Sequence, residues 1–287
     1  MWNEETALLE WSAPSGGATR SSPLPIGADL ALTAGADRRC VGVWRAGRRL
    51  TCPAAVPVAP AARTAQCASC QALDRSSSIA ADTRLDDPRP FAVYLAHHAG
   101  AGIKVGITAA ERGTVRLLEQ GALTSLILST GTLASARRAE HLLGSAGGLP
   151  DRVTSARKRA ARTRPGTADQ RAADLLATAA RARHLAWPEG QTRCEPQAED
   201  HTAAYGLSEE GLHPAAAVLP LACGHVLGGK VVCRIGTDLY LDAAAGLVLV
   251  DTRLLAGWAL RRPEPGAAFT AALDVLKDQG VEQDALF

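Results

Sequence analysis

Three residues between positions 91 and 144 carry side chains that could act together on a phosphate group: Tyr94, Arg116 and Glu140. A tyrosine hydroxyl can orient or deprotonate water when a nearby cation lowers its pKa. An arginine can donate two hydrogen bonds to a phosphate and stabilise the charge that grows on it. A glutamate can hold Mg²⁺ while the ion keeps most of its water ligands. Hydrolysis of a phosphodiester is the chemistry that this set would support.

Lys104, His97 and His98 lie in the same stretch and extend the set. A lysine can hold a phosphate as a point charge, and a histidine can activate water because it titrates near neutral pH. Successive residues of a strand point to opposite faces of the sheet, so the two adjacent histidines cannot both serve one site. We include His97 and Lys104 among the candidate catalytic residues.

Each of these residues also has a structural interpretation. Tyr94 can be an ordinary strand residue with its hydroxyl at the edge of a sheet. Glu140 can pair with Arg137 or another neighbour on the surface of a helix. Arg112 competes with Arg116 for the arginine role, or is simply a solvated helix residue. The sequence leaves both kinds of interpretation open.

Four of the seven cysteines form the second informative group. Cys67 and Cys70 are separated by two residues, a spacing that can place two thiolates on one ion, and Cys40 and Cys52 lie upstream. Four thiolates suit a closed tetrahedral structural Zn²⁺ site. The alternatives are four small buried hydrophobic residues, or a redox pair at Cys67 and Cys70. We favour zinc because this region has few large apolar residues with which to build a core.

A strongly basic segment follows the stretch that holds Tyr94. A helix carrying its charges could track a phosphate backbone and would bind with strong salt dependence. The same charges could equally be solvated on an exposed helix, although the position of the segment favours binding. The residues that we expect to contact DNA or RNA are Arg112, Arg152, Arg157, Lys158 and Arg159.

The elements that would position these side chains follow from apolar periodicity and from signals at their ends. A glycine-rich turn joins two short apolar runs, which predicts an antiparallel hairpin. Thr108-x-x-Glu111 is a capping box, which predicts a helix beginning at Thr108, and Gly121 can end that helix. The predicted elements are a strand at 91–96, a strand at 103–107, a helix at 108–121, a strand at 123–129 and a helix capped by Thr132 or Ser135 that ends near Gly144.

Shifts in composition divide the chain into five parts of an α+β fold. Short apolar runs punctuated by glycines predict a small β-rich barrel near the C-terminus, followed by a last helix at Ala267–Gln279. A break near Arg164-Pro165-Gly166 interrupts the basic helical part. The parts are a variable lead-in at 1–35, a Cys-rich zinc-binding region at 36–88, a central module at 89–145, a basic helical segment at 150–186 and a β-rich domain at 200–287.

The composition is that of an ordinary globular protein, with 47% hydrophobic and 21% charged residues among 287. A net charge of +2 by itself says nothing about nucleic acid, and an aromatic content of 4% argues against recognition by base stacking. The acidic start without an apolar segment, and the lack of a run long enough for a membrane helix, predict a cytoplasmic protein with no membrane partner.

Short motifs in a fixed order resemble the GIY-YIG nuclease superfamily: VYL around Tyr94, KVG beginning at Lys104, then Arg116 and Glu140. The resemblance implies a small three-stranded antiparallel sheet with flanking helices, and one-metal hydrolysis of DNA that would use Mg²⁺ or Mn²⁺. It makes Tyr94 the first motif tyrosine, Arg116 the helix arginine and Glu140 the metal ligand. Lys104 departs from the pattern, because it stands in the place of the second tyrosine and cannot replace a phenol.

The Cys-rich region, the strings KVGIT and EQGA and the β-rich tail also resemble the DUF2797 proteins, over about residues 38–262. The first hypothesis is therefore a zinc-stabilised, GIY-YIG-like protein that acts on nucleic acid as a metal-dependent endonuclease. The second is a nucleic-acid-binding module without catalysis. The third is an enzyme of another class that uses the same pocket for a small anionic metabolite, since a fold does not fix a function.

Overall fold

The computed structural model describes residues 2–3, 6–13, 19–45, 48–77 and 87–276, which form a mixed α+β protein. Within this described part, no helix is both long and apolar enough to cross a membrane. The helices are α1 (Ala68–Ser77), α2 (Gly113–Gln120), α3 (Leu133–Ser145), α4 (Ser155–Ala161), α5 (Ala168–Arg183) and α6 (Thr202–Tyr205). The strands are β1 (Leu8–Trp11), β2 (Arg20–Pro23), β3 (Asp29–Arg38), β4 (Val43–Arg45), β5 (Arg48–Leu50), β6 (Phe91–His97), β7 (Ile103–Ala109), β8 (Thr124–Gly131), β9 (Gln191–Arg193), β10 (Glu199–Asp200), β11 (Ala216–Val218), β12 (Val226–Ile235), β13 (Asp238–Ala243), β14 (Gly246–Asp251), β15 (Trp258–Arg261) and β16 (Leu273–Val275).

The central sheet is built on β6, which lies between β7 and β8 and pairs antiparallel with both. The predicted hairpin and third strand are therefore confirmed. Two short strands, β9 and β10, add to the outer edge of β8 and make the sheet five-stranded. The sequence did not predict them, because runs of two or three polar residues carry no periodic signal.

The predicted start of α2 is wrong, whereas its predicted end is confirmed. Thr108 stays in the strand ladder opposite Ala92, and a short 3₁₀ turn precedes α2, which begins at Gly113. Thr108 has an extended backbone because it pairs with β6, and its position inside the strand prevents it from serving as the N-cap of the helix. Gly121 ends the helix in a left-handed conformation at φ 67°, and its N–H bonds back to the carbonyls of the last turn.

The two faces of the central sheet are covered by different elements. Side chains alternate along a strand, so odd and even positions of β6 point in opposite directions. Val93 packs in a buried cluster with Leu175 of α5 and with residues of α3. Tyr94 packs on the other face, against Leu117 of α2. This alternation decides which of the candidate residues can share one site.

The second sheet is curled and contains seven strands in the order β15-β3-β12-β13-β14-β11-β16. This curled sheet stands where a small barrel was predicted. Every pairing in it is antiparallel except that of β11 with β14. Its core is formed by leucine and valine residues such as Leu32, Leu227 and Val250. β3 runs across residue 35 and pairs with β12, so part of the predicted lead-in belongs to this sheet.

Two predictions for helices have opposite outcomes. The break in the basic segment is confirmed, because α4 ends at Ala161 and α5 begins at Ala168 behind a cap by Thr167. The helix predicted at Ala267–Gln279 is wrong in its described part, where Leu273–Val275 pairs with β11. The open edge of β11 offers hydrogen bonds that override the local helical preference. Residues 277–279 lie outside the described residues.

Candidate functional site

Tyr94 lies at the centre of the even-numbered face of β6, directly opposite Gly106 of β7. A Cβ at position 106 would collide with the Tyr94 hydroxyl, so the glycine leaves the room that the phenol occupies. Gln120 Nε2 donates a hydrogen bond to Tyr94 Oη at 2.5 Å. Burial raises the pKa of Tyr94, although this hydrogen bond and the charge of Arg116 act in the opposite direction. The hydroxyl therefore stays protonated near neutral pH.

Lys104 is 9% exposed and lies beside Tyr94, with its Nζ 5.8 Å from the centre of the ring. Its ammonium group donates to the carbonyl of Asp151 at 3.1 Å. Lys158 of α4 donates to the carbonyl of Gln120 at 2.7 Å, so Gln120 links it to Tyr94. Burial lowers the pKa of both lysines, that of Lys158 to about 8, with the charge of Lys104 as a second cause. Among the described residues, neither lysine forms an ion pair with a carboxylate.

Arg116 lies on α2 above the same face, with 42% of its side chain exposed. Its nearest carboxylate is that of Glu119, 3.7 Å away. Glu119 makes a closer pair with Arg112, whose Nη2 lies 2.6 Å from the same oxygen. Of the two candidate arginines, Arg116 is thus the one held less tightly, and its charge reaches Tyr94 and Lys104.

Glu140 lies on α3, the helix that packs with Val93 on the opposite face, and its side chain is partly buried. Burial raises the pKa of Glu140, and the neighbouring charge of Lys104 lowers it in turn. The charge of Glu140 also acts on Tyr94. The structure therefore brings Tyr94, Lys104, Arg116 and Glu140 close enough for their charges to affect one another. Within the described residues, Glu140 joins no cluster of three or more potential metal ligands.

His97 lies apart from this group, whereas His98 lies within reach of the charges of Lys158 and Lys104. His97 points to the opposite face of the sheet, where its Nδ1 accepts from the Ala99 amide at 3.0 Å and its Nε2 lies 3.2 Å from Asp174 Oδ2. Since Nδ1 is an acceptor, Nε2 carries the proton. His98 is 2% exposed and its Nδ1 lies 3.0 Å from the carbonyl of Gly121. Burial lowers the pKa of His98 to about 2, so it is neutral at physiological pH.

The basic segment separates into two kinds of residue. Arg159 and Arg162 both pair with Asp238 of β13, and this carboxylate is 4% exposed. They attach α4 to the seven-stranded sheet, and their charges are compensated there. Arg152 and Arg157 are exposed, and Arg157 donates to the carbonyl of Ala101 at 3.4 Å. Lys158 is directed to the face that holds Tyr94.

The four predicted cysteines come together at the end of β3. The sulfur atoms of Cys40, Cys52, Cys67 and Cys70 all lie within 4.8 Å of one another. Zn²⁺ with four bonds of about 2.3 Å separates its sulfur ligands by about 3.8 Å, which this cluster can meet by a small contraction. Cys40 Sγ accepts from the amides of Cys67 at 3.2 Å and of Gly42 at 3.4 Å, as metal-bound thiolates commonly do. The cluster can therefore hold a metal such as zinc.

Arg38 attaches the cysteine cluster to the curled sheet. Its guanidinium is buried and donates to the carbonyls of Ala59, Pro60 and Ala62 on one side, and of Arg253 and Ala256 on the other. Five carbonyls thus satisfy one buried cation without a carboxylate. The cysteine loops are held against the segment between β14 and β15.

One polar constellation was not predicted from the sequence. Ser125 Oγ lies 2.8 Å from His201 Nε2, and His201 Nδ1 lies 4.0 Å from Glu199 Oε1. The order of groups is that of a serine hydrolase triad. However, Ser125 is 1% and His201 2% exposed, so no substrate reaches them and they tie β10 to β8. No local signal could have found a contact between residues this far apart in sequence.

The fold and these geometries define a class: a mixed α+β protein with a metal-capable cluster of four cysteines and a cationic, partly buried face around Tyr94. Residues 27–260 match the family model described as "Protein of unknown function (DUF2797)". The chain belongs to the DUF2797 family, as the sequence resemblance predicted. No curated protein and no solved structure matches the chain.

Proposed function

We propose that the chain is a zinc-stabilised, nucleic-acid-binding protein that receives a backbone phosphate at the face around Tyr94. One observation carries the proposal. Lys104 is buried, Lys158 is partly buried within reach of its charge, and backbone carbonyls are their described hydrogen-bond partners. Burying a cation is costly unless an opposite charge or sufficient hydrogen bonds offset the loss of water. An anion bound between the two lysines would supply that charge.

The contrast with the neighbouring arginines supports the proposal. Arg159 and Arg162 are as enclosed as the lysines but have Asp238 as their partner. Among the described residues, the same helix therefore contains arginines that pair with a carboxylate and a lysine, Lys158, that does not, and Lys158 is directed towards Tyr94. Arg116 adds a guanidinium that can bind a phosphate through two hydrogen bonds. The exposed Arg152 and Arg157 are suited to neighbouring phosphates of an extended strand.

Metal-dependent cleavage of the bound strand is a second candidate, favoured by the position of Glu140 near Lys104. It rests on the GIY-YIG resemblance, in which this glutamate holds Mg²⁺ or Mn²⁺. Such an ion accepts one carboxylate together with water and phosphate oxygens, and it would supply an activated water. Tyr94, whose pKa is raised by burial, would orient groups through its hydroxyl without acting as a phenolate.

Binding is tested with labelled single- and double-stranded DNA and RNA at several salt concentrations. We expect Lys104→Gln and Lys158→Gln to weaken binding about tenfold or more, and to reduce the slope of log K against log salt by about 0.9 per lost contact on duplex DNA. Lys230→Gln is the matched control, because Lys230 is exposed on β12. The proposal fails if the wild type binds none of these nucleic acids, or if all three variants lose affinity equally.

Cleavage is tested separately with the same substrates and Mg²⁺ or Mn²⁺. Glu140→Gln should abolish cleavage while leaving binding in the absence of metal intact. Glu210→Gln removes an exposed carboxylate and should leave the rate unchanged. Cleavage that persists in Glu140→Gln, or its absence from the wild type, would exclude the nuclease and leave the binding function. Competition by small anions alone would instead favour a metabolite at this face.

A further inference from the structure

A second concave site lies on the opposite side of the central sheet, between α5 and the loop that joins β6 to β7. It is a groove with a volume of ≈ 540 Å³. Sites for small molecules commonly enclose about 300–1,000 Å³. Its lining includes His97, Gly102, Arg164, Asp174 and Arg181. Because His97 and Tyr94 point to opposite faces of β6, this groove is distinct from the face around Tyr94.

The groove carries an excess of positive charge. Arg171 at its floor is compensated, since its Nη2 lies 2.6 Å from Asp200 Oδ1. Arg164 and Arg181 are exposed, and among the described residues neither pairs with a carboxylate. Arg181 donates to the hydroxyl of Thr178 at 2.9 Å, and this neutral hydroxyl does not offset the charge of the guanidinium. Two guanidinium groups therefore line the groove without a carboxylate partner among the described residues, so their N–H groups can donate to a ligand.

Asp174 is the one carboxylate among the residues that line the groove, and it accepts from His97 Nε2 at 3.2 Å. Because Nδ1 accepts from the Ala99 amide, the proton of the neutral imidazole is on Nε2. The Nε2–H group is therefore the one that points to Asp174 and the groove. Burial lowers the pKa of His97, so the ring is a neutral donor at physiological pH. A ligand with an acidic group would compete with Asp174 for this N–H.

We propose that the groove binds a small organic anion that carries phosphate or carboxylate groups. Arg164 and Arg181 hold its charged groups, and His97 Nε2–H donates a third hydrogen bond once Asp174 turns aside. Guanidinium groups suit both kinds of anion, because their paired N–H groups match two oxygen atoms. Asp174 lowers the affinity for the anion in two ways. Its negative charge repels the ligand, and it accepts the His97 Nε2–H hydrogen bond that the ligand would otherwise accept.

Calorimetry of the full chain with inorganic pyrophosphate, adenosine 5′-monophosphate and citrate tests the proposal. At least one of these probes should bind saturably with one site. Combined Arg164→Gln and Arg181→Gln substitution should weaken that binding about tenfold or more, which corresponds to a loss of about 1.4 kcal/mol. Asp174→Asn keeps the shape of the side chain, removes the repelling charge and should tighten binding several-fold.

Arg183→Gln is the matched control, because Arg183 lies in the last turn of the same helix and pairs with Glu195 at 3.1 Å. Circular dichroism melting confirms that each variant is folded. The proposal is overturned if no probe binds saturably, or if Arg183→Gln weakens binding as much as the groove substitutions do. It is also overturned if the groove substitutions affect only oligonucleotides, since the groove would then belong to the path of a nucleic-acid strand.

Discussion

Lys104 and Lys158 illustrate how much the surroundings of a residue add to its type. The sequence predicts a phosphate contact for each, and the structure adds that burial lowers the pKa of both and that their ammonium groups donate to backbone carbonyls. Gln120 connects Lys158 to Tyr94, because its carbonyl accepts from Lys158 and its side chain donates to the Tyr94 hydroxyl. Gln120, which belongs to the EQGA string, thus links α4 to the strand that carries Tyr94.

Gly106 provides a test at the level of one residue. Gly106→Ala should lower the free energy of unfolding by about 1–3 kcal/mol, because the added Cβ meets the Tyr94 hydroxyl, which Gln120 holds in place. Urea unfolding followed by circular dichroism measures the change. Gly100→Ala in the adjoining loop is the control, since nothing lies within 4 Å of its added Cβ. Equal stability of the two variants would contradict the packing described for Tyr94.

At the level of elements, α4 connects the two sheets. Residues three apart on a helix share a side, and Arg159 and Arg162 use that side to reach Asp238 of the curled sheet. The neighbouring Lys158 points to the central sheet instead. The helix therefore aligns the candidate phosphate site with the C-terminal strands.

Removal of the ion pairs between α4 and Asp238 should destabilise the fold. Asp238→Asn leaves the guanidinium of Arg162, which is 4% exposed, without its carboxylate, and we expect a loss of about 3–5 kcal/mol in the free energy of unfolding. Chemical denaturation measures it. Asp242→Asn on the same strand removes an exposed carboxylate and should change stability by less than about 0.5 kcal/mol. If both variants are equally stable, α4 is not held by these ion pairs.

At the level of the whole molecule, separate hydrophobic clusters underlie the two sheets and the cysteine region. The cysteine region has the smallest of these clusters, with Val43 and Val58 as its buried aliphatic residues. A bound metal would supply the stability that so small a core cannot. Arg38 then couples that region to the curled sheet.

Zinc removal should therefore act locally. We expect one equivalent of zinc per chain by elemental analysis, lost in Cys67→Ser and retained in Cys223→Ser, because Cys223 is exposed and outside the cluster. Hydrogen exchange in the chelated protein should accelerate between residues 40 and 74 while β6–β8 stay protected, since these strands have a core of their own. Zinc content that is the same in both variants, or uniform loss of protection, would rule out this arrangement.

The sequence by itself determined the features that depend on neighbours along the chain. The hairpin of β6 and β7, the end of α2 at Gly121, the cap of α3 by Thr132 and the break before α5 all arise from periodicity and local turn chemistry. The spacing of Cys67 and Cys70, with two cysteines upstream, predicted the group of four cysteines that could hold a metal, and short motifs predicted the family. These signals are local, so they can be recognised without the fold.

Only the tertiary structure decided which charges are compensated and which faces the side chains share. Asp238 lies far along the chain from the arginines it neutralises, and β3 finds its partner in β12 near the other end. The separation of His97 from Tyr94 likewise follows from sheet geometry. Burial and charge pairing depend on contacts between distant residues, and the sequence contains no local record of them. In the described part of the chain, Lys104 and Lys158 therefore stand out as enclosed cations without a carboxylate at ion-pair distance only once the chain is folded.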